Sequence, residues 1–233
     1  MEKKFFTKVT VLLLPPLFNQ INFQNNGIIF LGLNDIAKSK ELFSNLKLEE
    51  DKKDLCSFAK KVNEDDFSDK VIDLIINESE KRQKSDFNIV LVNYPINISQ
   101  FENLENKLED FGIEISKMIV SNPLSFDVLI KTKSNYFLCP LCFKAHDRQS
   151  NLIDSEYSCP LNDEKFTISQ INKFTDFFIE YYLQNSLKVI QKFAESDKEE
   201  KNKKRKMFPL TIESDENIEE TIKKNLLNII ENN

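Results

Sequence analysis

Three cysteines fall in a pattern that chemistry can use: Cys139-Pro140-Leu141-Cys142, followed at a distance by Cys159-Pro160-Leu161-Asn162. A structural zinc ion needs four tetrahedral ligands, usually thiolate or imidazole, and two C-x-x-C knuckles across a short loop supply them. Here the fourth position is Asn162, whose amide is a poor zinc ligand. Asp163 is adjacent to it, and His146, the sole histidine, follows the first knuckle closely enough to swing in. The candidate metal ligands are therefore Cys139, Cys142 and Cys159, completed by Asn162, Asp163 or His146. Zinc is the expected ion and its role structural, because nothing nearby suggests an activated water. The competing expectation is that the three thiols pack as small apolar groups among Phe137, Leu138, Leu141 and Leu161. Cys56 sits on a predicted helix and reads as a core residue. No Ser/His/Asp or Cys/His nucleophile arrangement stands out.

Something must position these residues, and 233 residues are enough for one α/β domain carrying a small insertion. With 40% hydrophobic and 30% charged residues and a net charge of -6, the chain reads as globular and mildly acidic. Four cysteines without a secretory leader argue for a reducing, intracellular compartment, either cytoplasmic or mitochondrial. The apolar stretch 9–18 is too short to span a bilayer and is interrupted by Pro15-Pro16, so no transmembrane helix is expected. Lys201, Lys203, Lys204, Arg205 and Lys206 form a basic run that could meet nucleic-acid phosphates. Glu195, Asp197, Glu199 and Glu200 precede it, which favours a solvated loop.

Residues 10–14 are a short apolar run stopped by prolines, read as an added strand, and Asn25-Asn26-Gly27 as a turn. Ile28-Ile29-Phe30-Leu31 has the continuous apolarity of a buried parallel strand, and 35–48 takes helical spacing. Helices are expected at 54–61, 67–84, 99–111 and 123–133, with strands at 87–92 and 116–120. Alternating strands and helices imply a parallel sheet. Residues 135–167 look irregular and cysteine-bearing, an inserted subdomain. A long helix follows over 168–194, with a break expected near Asn185-Ser186. Its Phe174, Phe177, Phe178, Tyr181 and Tyr182 exceed what one core face needs, suggesting a subunit contact. A solvated charge run at 195–206, a last strand at 207–212 and an amphipathic helix at 218–230 complete the chain. No internal repeat is evident.

Several patterns fall in the order and nearly the spacing of adenylate kinases with a zinc-binding lid, and the chain resembles that family from about residue 28 to 230. The family's G-x-P-G-x-G-K-G-T phosphate loop corresponds to Gly32-Leu33-Asn34-Asp35-Ile36-Ala37-Lys38-Ser39-Lys40, of which Gly32 and Lys38 match. Its D-G-F-P-R-T-x-x-Q-A-E segment corresponds to residues 92–102, where Pro95, Gln100 and Glu102 match. The two knuckles follow at the family's gap. The resemblance implies an α/β fold with a P-loop NTPase-like parallel sheet flanked by helices. It divides the chain into an N-terminal extension (1–27), a core with a shortened monophosphate-binding region (28–134), a zinc-knuckle lid (135–167) and a completing segment (168–233).

The phosphate chemistry of that family is largely missing. Phosphoryl transfer depends on backbone N–H groups, a lysine, a metal and arginines around the transferred group. Asp35, Ala37 and Ser39 replace three loop glycines, Lys40 replaces a magnesium-holding hydroxyl, and Val92 replaces the strand-end aspartate. Arg82, Arg148 and Arg205 are the only arginines, and none falls on a family position. The expectation is a pseudoenzyme, with Gly32 and Lys38 as a vestigial loop and no bound nucleotide, kept as a structural or protein-binding subunit of a larger assembly. The alternatives are a divergent monophosphate kinase using lysines for arginines and a nucleotide sensor without turnover.

Overall fold

The computed structural model describes residues 7–18, 27–37, 65–81, 87–122, 126–152, 156–161, 163–199, 205–212 and 218–232. Its strands are β1 (Thr7–Leu13), β2 (Ile28–Gly32), β3 (Phe87–Val92), β4 (Glu114–Ser121), β5 (Tyr136–Leu138), β6 (Ala145–Asp147), β7 (Glu156–Ser158), β8 (Lys165–Thr167) and β9 (Lys206–Leu210). The helices, numbered here in order, are α1 (Leu33–Ala37), α2 (Asp65–Lys81), α3 (Ile98–Asp110), α4 (Phe126–Asn135), α5 (Arg148–Asn151), α6 (Ile168–Glu199) and α7 (Ile218–Asn232).

Five strands form one parallel sheet in the order β2-β3-β1-β4-β9. The architecture is α/β, with helices on the sheet's faces, and is compatible with a P-loop-like core. β1 is the middle strand. It pairs Val9 with Ile89 and Val11 with Leu91 on one side, and Leu12 with Ile119 on the other. Residues 7–13 are therefore not an addition outside the main sheet, as the sequence suggested. The reason lies in burial: Val9, Val11 and Leu13 join one core cluster, Leu12 and Leu14 the other. A strand apolar on both faces belongs in the interior of a parallel sheet.

The first cluster lies under α2, α3 and α6, with Val71, Ile75, Phe101, Leu104, Phe178 and Val189 among its members. The second is closed by Ile222, Leu226 and Ile230 of α7. α3 starts where Asn97 accepts a hydrogen bond from the Gln100 N–H at 2.9 Å, while the Gln100 side-chain carbonyl accepts one from the Ile96 N–H at 2.8 Å. This reciprocal arrangement satisfies two amides at the helix start. Gln100 and Glu102, two residues that carried the resemblance, are thus engaged internally, Glu102 with Lys192 of α6 at 2.9 Å.

α6 runs unbroken from Ile168 to Glu199. The expected interruption is absent because Asn185 donates to the Tyr181 carbonyl at 2.8 Å within the helix and Ser186 is buried. Phe174, Phe178 and Tyr182 face the core, whereas Phe177 and Tyr181 are half-buried and stack on each other at 5.9 Å. The aromatic excess serves mostly the interior. The solvated apolar residues of this helix are Leu183 and Leu187, 44% and 63% exposed.

Residues 135–167, expected to be irregular, hold two β-hairpins, β5–β6 and β7–β8. They repeat each other at an offset of twenty residues: Phe137 pairs with His146 as Tyr157 pairs with Phe166. The Cys139 N–H donates to Lys144 O as the Cys159 N–H donates to Glu164 O. Phe143 and Asp163 both take positive φ, 53° and 58°. A repeat is therefore present, although little beyond Cys-Pro-Leu is shared in sequence.

Candidate functional site

In open parallel sheets, ligands bind beyond the carboxyl ends of the strands where the direction of the crossovers reverses. The chain leaves β1 toward β2 in one direction, and the steps β2 to β3, β3 to β4 and β4 to β9 all run the other way. The reversal therefore falls at the end of β1. The segment there is Leu14-Pro15-Pro16-Leu17-Phe18, not the one after β2 that matched a phosphate loop by sequence.

This segment is sealed by its own side chains. Leu14, Pro15, Pro16 and Leu17 are buried, as are Tyr94, Pro95 and Ile96 beyond the end of β3. A phosphate-binding loop presents free backbone N–H groups. Here the Leu14 N–H donates to the Asn93 carboxamide oxygen at 2.7 Å and the Phe18 N–H to Pro15 O at 2.8 Å, and the prolines have no N–H to offer. Asn93 is the hub. Fully buried, with φ 54°, it also receives the Tyr182 O–H at 2.8 Å on the same oxygen. Burial holds the Tyr182 phenol well above its ordinary pKa, so it stays protonated and donating. Asn93 was not singled out in the sequence, although it sits at the strand end where a fold of this class places chemistry, and the sequence presents Tyr182 only as one of the excess aromatics of the long helix.

Replacing Asn93 by Ala would strand two buried donors, each worth about 1–3 kcal/mol when left unsatisfied. A loss of ~3–5 kcal/mol is expected in urea denaturation, against ~1 kcal/mol for Tyr182→Phe, which removes one donor and leaves the acceptor engaged.

Gly32 closes β2, and its N–H donates to the Asp35 carboxylate at 3.0 Å. The amide that matched the family's first loop glycine thus serves a carboxylate of its own chain. Lys38 lies outside the described residues, as does Cys56.

The cysteines expected to share a metal do come together. The Sγ atoms of Cys139, Cys142 and Cys159 lie within 4.8 Å of one another, and all three residues are buried. They are close enough to bind one metal ion. Among the described residues this is the one group of three or more such ligands. Each hairpin turn delivers its cysteine by the same backbone geometry, and the Cys142 N–H points at the Cys139 sulfur at 3.5 Å. Burial, with hydrogen bonds from the other two thiols, pushes the Cys139 thiol far up. At Cys142 the hydrogen bond with Cys139 lowers the pKa, but that with Cys159 and burial outweigh it and push it up to about 11. Three neutral thiols would make an ordinary apolar core with Phe137, Leu141 and Phe166. Three thiolates this close need a cation to offset their mutual repulsion.

Of the three expected fourth ligands, Asn162 lies outside the described residues. Asp163 is exposed, and its N–H turns back to Cys159 O at 2.8 Å. His146 is buried, with Nε2 3.6 Å from the Cys142 sulfur and 2.8 Å from the Tyr157 hydroxyl. It stands beside the thiol triangle rather than within it. Burial, then the nearby Lys144 charge, lower its pKa to about 4, so the ring is neutral near pH 7. A neutral imidazole is the form that ligates metals.

No protein-family model matches the chain, and no curated protein matches it. Function must therefore be argued from the geometry. The basic run offers little for that purpose: Lys201, Lys203 and Lys204 lie outside the described residues, and Lys206 is exposed at the start of β9. Arg205 is not a surface cation at all. It is buried, ion-paired with Glu105 of α3, and its guanidinium carbon lies 5.6 Å from the centre of the Phe193 ring. Its part in a nucleic-acid contact is ruled out by that burial. No helix among the described residues is long and apolar enough to cross a membrane.

Proposed function

We propose that the chain is a catalytically inactive protein of adenylate kinase type, its hairpin module held by structural zinc, serving as a structural or protein-binding subunit of a larger assembly. The observation that carries this reading is the sealed end of β1. A sheet of this order binds phosphates there through free amides and a cation. This chain fills the place with Leu14, Pro15, Pro16 and the Asn93 carboxamide, all buried. The absence of arginines at family positions argues the same way, since one such residue is worth about 1000-fold or more in phosphoryl transfer. Leu183 and Leu187, exposed one turn apart on α6, are apolar area suited to a protein neighbour.

Calorimetry on the purified full chain tests the reading. Magnesium-ATP, AMP and a bisubstrate dinucleotide are each expected to give no binding heat at millimolar concentration. Micromolar binding of the dinucleotide would overturn it, and a phosphotransfer assay would then separate a divergent kinase from a sensor.

A further inference from the structure

We infer that His146 is the fourth metal ligand, making a Cys3His centre in which the first hairpin supplies three donors and the second one. The inference rests on reading the thiol cluster as a metal centre and adds to it the identity of the remaining donor.

Twenty residues after Cys142, the offset of the repeat, the sequence has Asn162, so no second thiolate follows Cys159 at the knuckle spacing. The same repeat pairs His146 with Phe166. One hairpin therefore carries an aromatic hydrocarbon at this inward position and the other carries the chain's single histidine. Zinc bonds of about 2.3 Å to sulfur and about 2.0–2.1 Å to nitrogen, at the tetrahedral angle, place the two donor atoms about 3.5 Å apart. The Cys142 sulfur and His146 Nε2 are 3.6 Å apart.

The ring is also held for the task. It stacks on Phe137 at 5.5 Å and packs at 4.9 Å against the Tyr157 ring. Ligating histidines are oriented by partners outside the coordination sphere. The Tyr157 hydroxyl holds Nε2 at 2.8 Å. With Nε2 on a metal, the Tyr157 hydroxyl would have to give up its bond to that nitrogen.

The test uses the full chain titrated with zinc against a chromophoric chelator, and long-range proton–nitrogen NMR of its only imidazole. His146→Phe copies the residue the second hairpin carries and keeps an aromatic side chain in the core. It is expected to weaken zinc binding by more than the 10–100-fold typical of outer-shell partners, whereas Asn162→Ala leaves affinity unchanged. In the wild-type spectrum Nε2 should take the metal-bound shift at one equivalent of zinc, a readout that needs no variant. If zinc binds stoichiometrically while the imidazole nitrogens do not shift and His146→Phe keeps wild-type affinity, the histidine assignment is wrong and the thiol centre stands. If the wild-type chain binds no zinc, the metal centre and this assignment fail together.

Discussion

A chain shortened to begin at Ile28 is expected not to fold. It would lack β1, which lies between β3 and β4 and buries Val9, Val11, Leu12, Leu13 and, just beyond, Leu14. Burying an aliphatic side chain of this size stabilises by about 1.5–3 kcal/mol, so the five contribute roughly 7–15 kcal/mol. That equals the whole net stability of an ordinary domain, about 5–15 kcal/mol. Loss of the strand also leaves the facing edges of β3 and β4 without hydrogen-bond partners. Far-UV circular dichroism and a thermal melt of the truncated chain should show no cooperative transition, or the protein should be insoluble. A graded control is Val11→Ala, expected to cost ~2–4 kcal/mol with the transition preserved. A cooperative, near-native melt of the truncated chain would show that the sheet can close without its middle strand.

The second large effect concerns Arg205 and Glu105. The arginine side chain is 2% exposed and the glutamate 19%, so the two partners are not equivalent. Nε and Nη1 of the arginine are buried without acceptors, and Glu105 takes the remaining nitrogen. Removing the glutamate would leave a buried guanidinium without its counter-charge, and Glu105→Ala should cost about 3–5 kcal/mol. Arg205→Met leaves a carboxylate that water already reaches, and it keeps an apolar stem on Phe193, so its cost should be smaller. Replacing both by apolar residues of similar volume should recover most of the loss or exceed the starting stability, by about 1–4 kcal/mol in comparable cases. Chemical denaturation of the two single variants and the double variant gives the comparison. Equal losses for the single variants would show that burial does not set the asymmetry.

The α/β class was legible because Phe87-Asn88-Ile89-Val90-Leu91-Val92 and its like are nearly continuous apolar runs between helical periods. The position of β1 was not, because Pro15-Pro16 cut its run short and hid the strand–helix rhythm expected of a core unit. Pairing, which places the strand in the middle, is not written in local composition. Gly32 after an apolar run points to a phosphate loop behind β2, but sheet order places the crossover reversal at β1. The thiol cluster was legible from spacing alone. The repeat that explains it was hidden, since hairpin geometry constrains only Cys-Pro-Leu and an inward aromatic, leaving pairs as different as Phe143 and Asp163 free to occupy the same backbone position. Arg205 misled for a simpler reason: a cation in a basic run carries no local sign that it will point inward toward α3.

The manner in which the hairpin module joins the sheet domain bears on motion. β5 begins at the residue after α4 ends, and α6 begins at the residue after β8 ends, so neither junction contains a linker. The Leu138 N–H donates to the Thr175 hydroxyl of α6 at 3.1 Å, Arg148 donates to Lys133 O of α4 at 3.1 Å, and Lys133 pairs with Asp176. Swinging the module would require breaking these contacts and bending a 32-residue helix whose Phe178, Tyr182, Val189 and Phe193 are packed into the main core. Hinges need a few residues free to absorb a change in backbone angles, and both junctions deny them. The two hairpins are therefore braced on a helix about 48 Å long, most of which is locked into the core of the sheet domain by the same four side chains, so module and sheet are coupled through one rigid element.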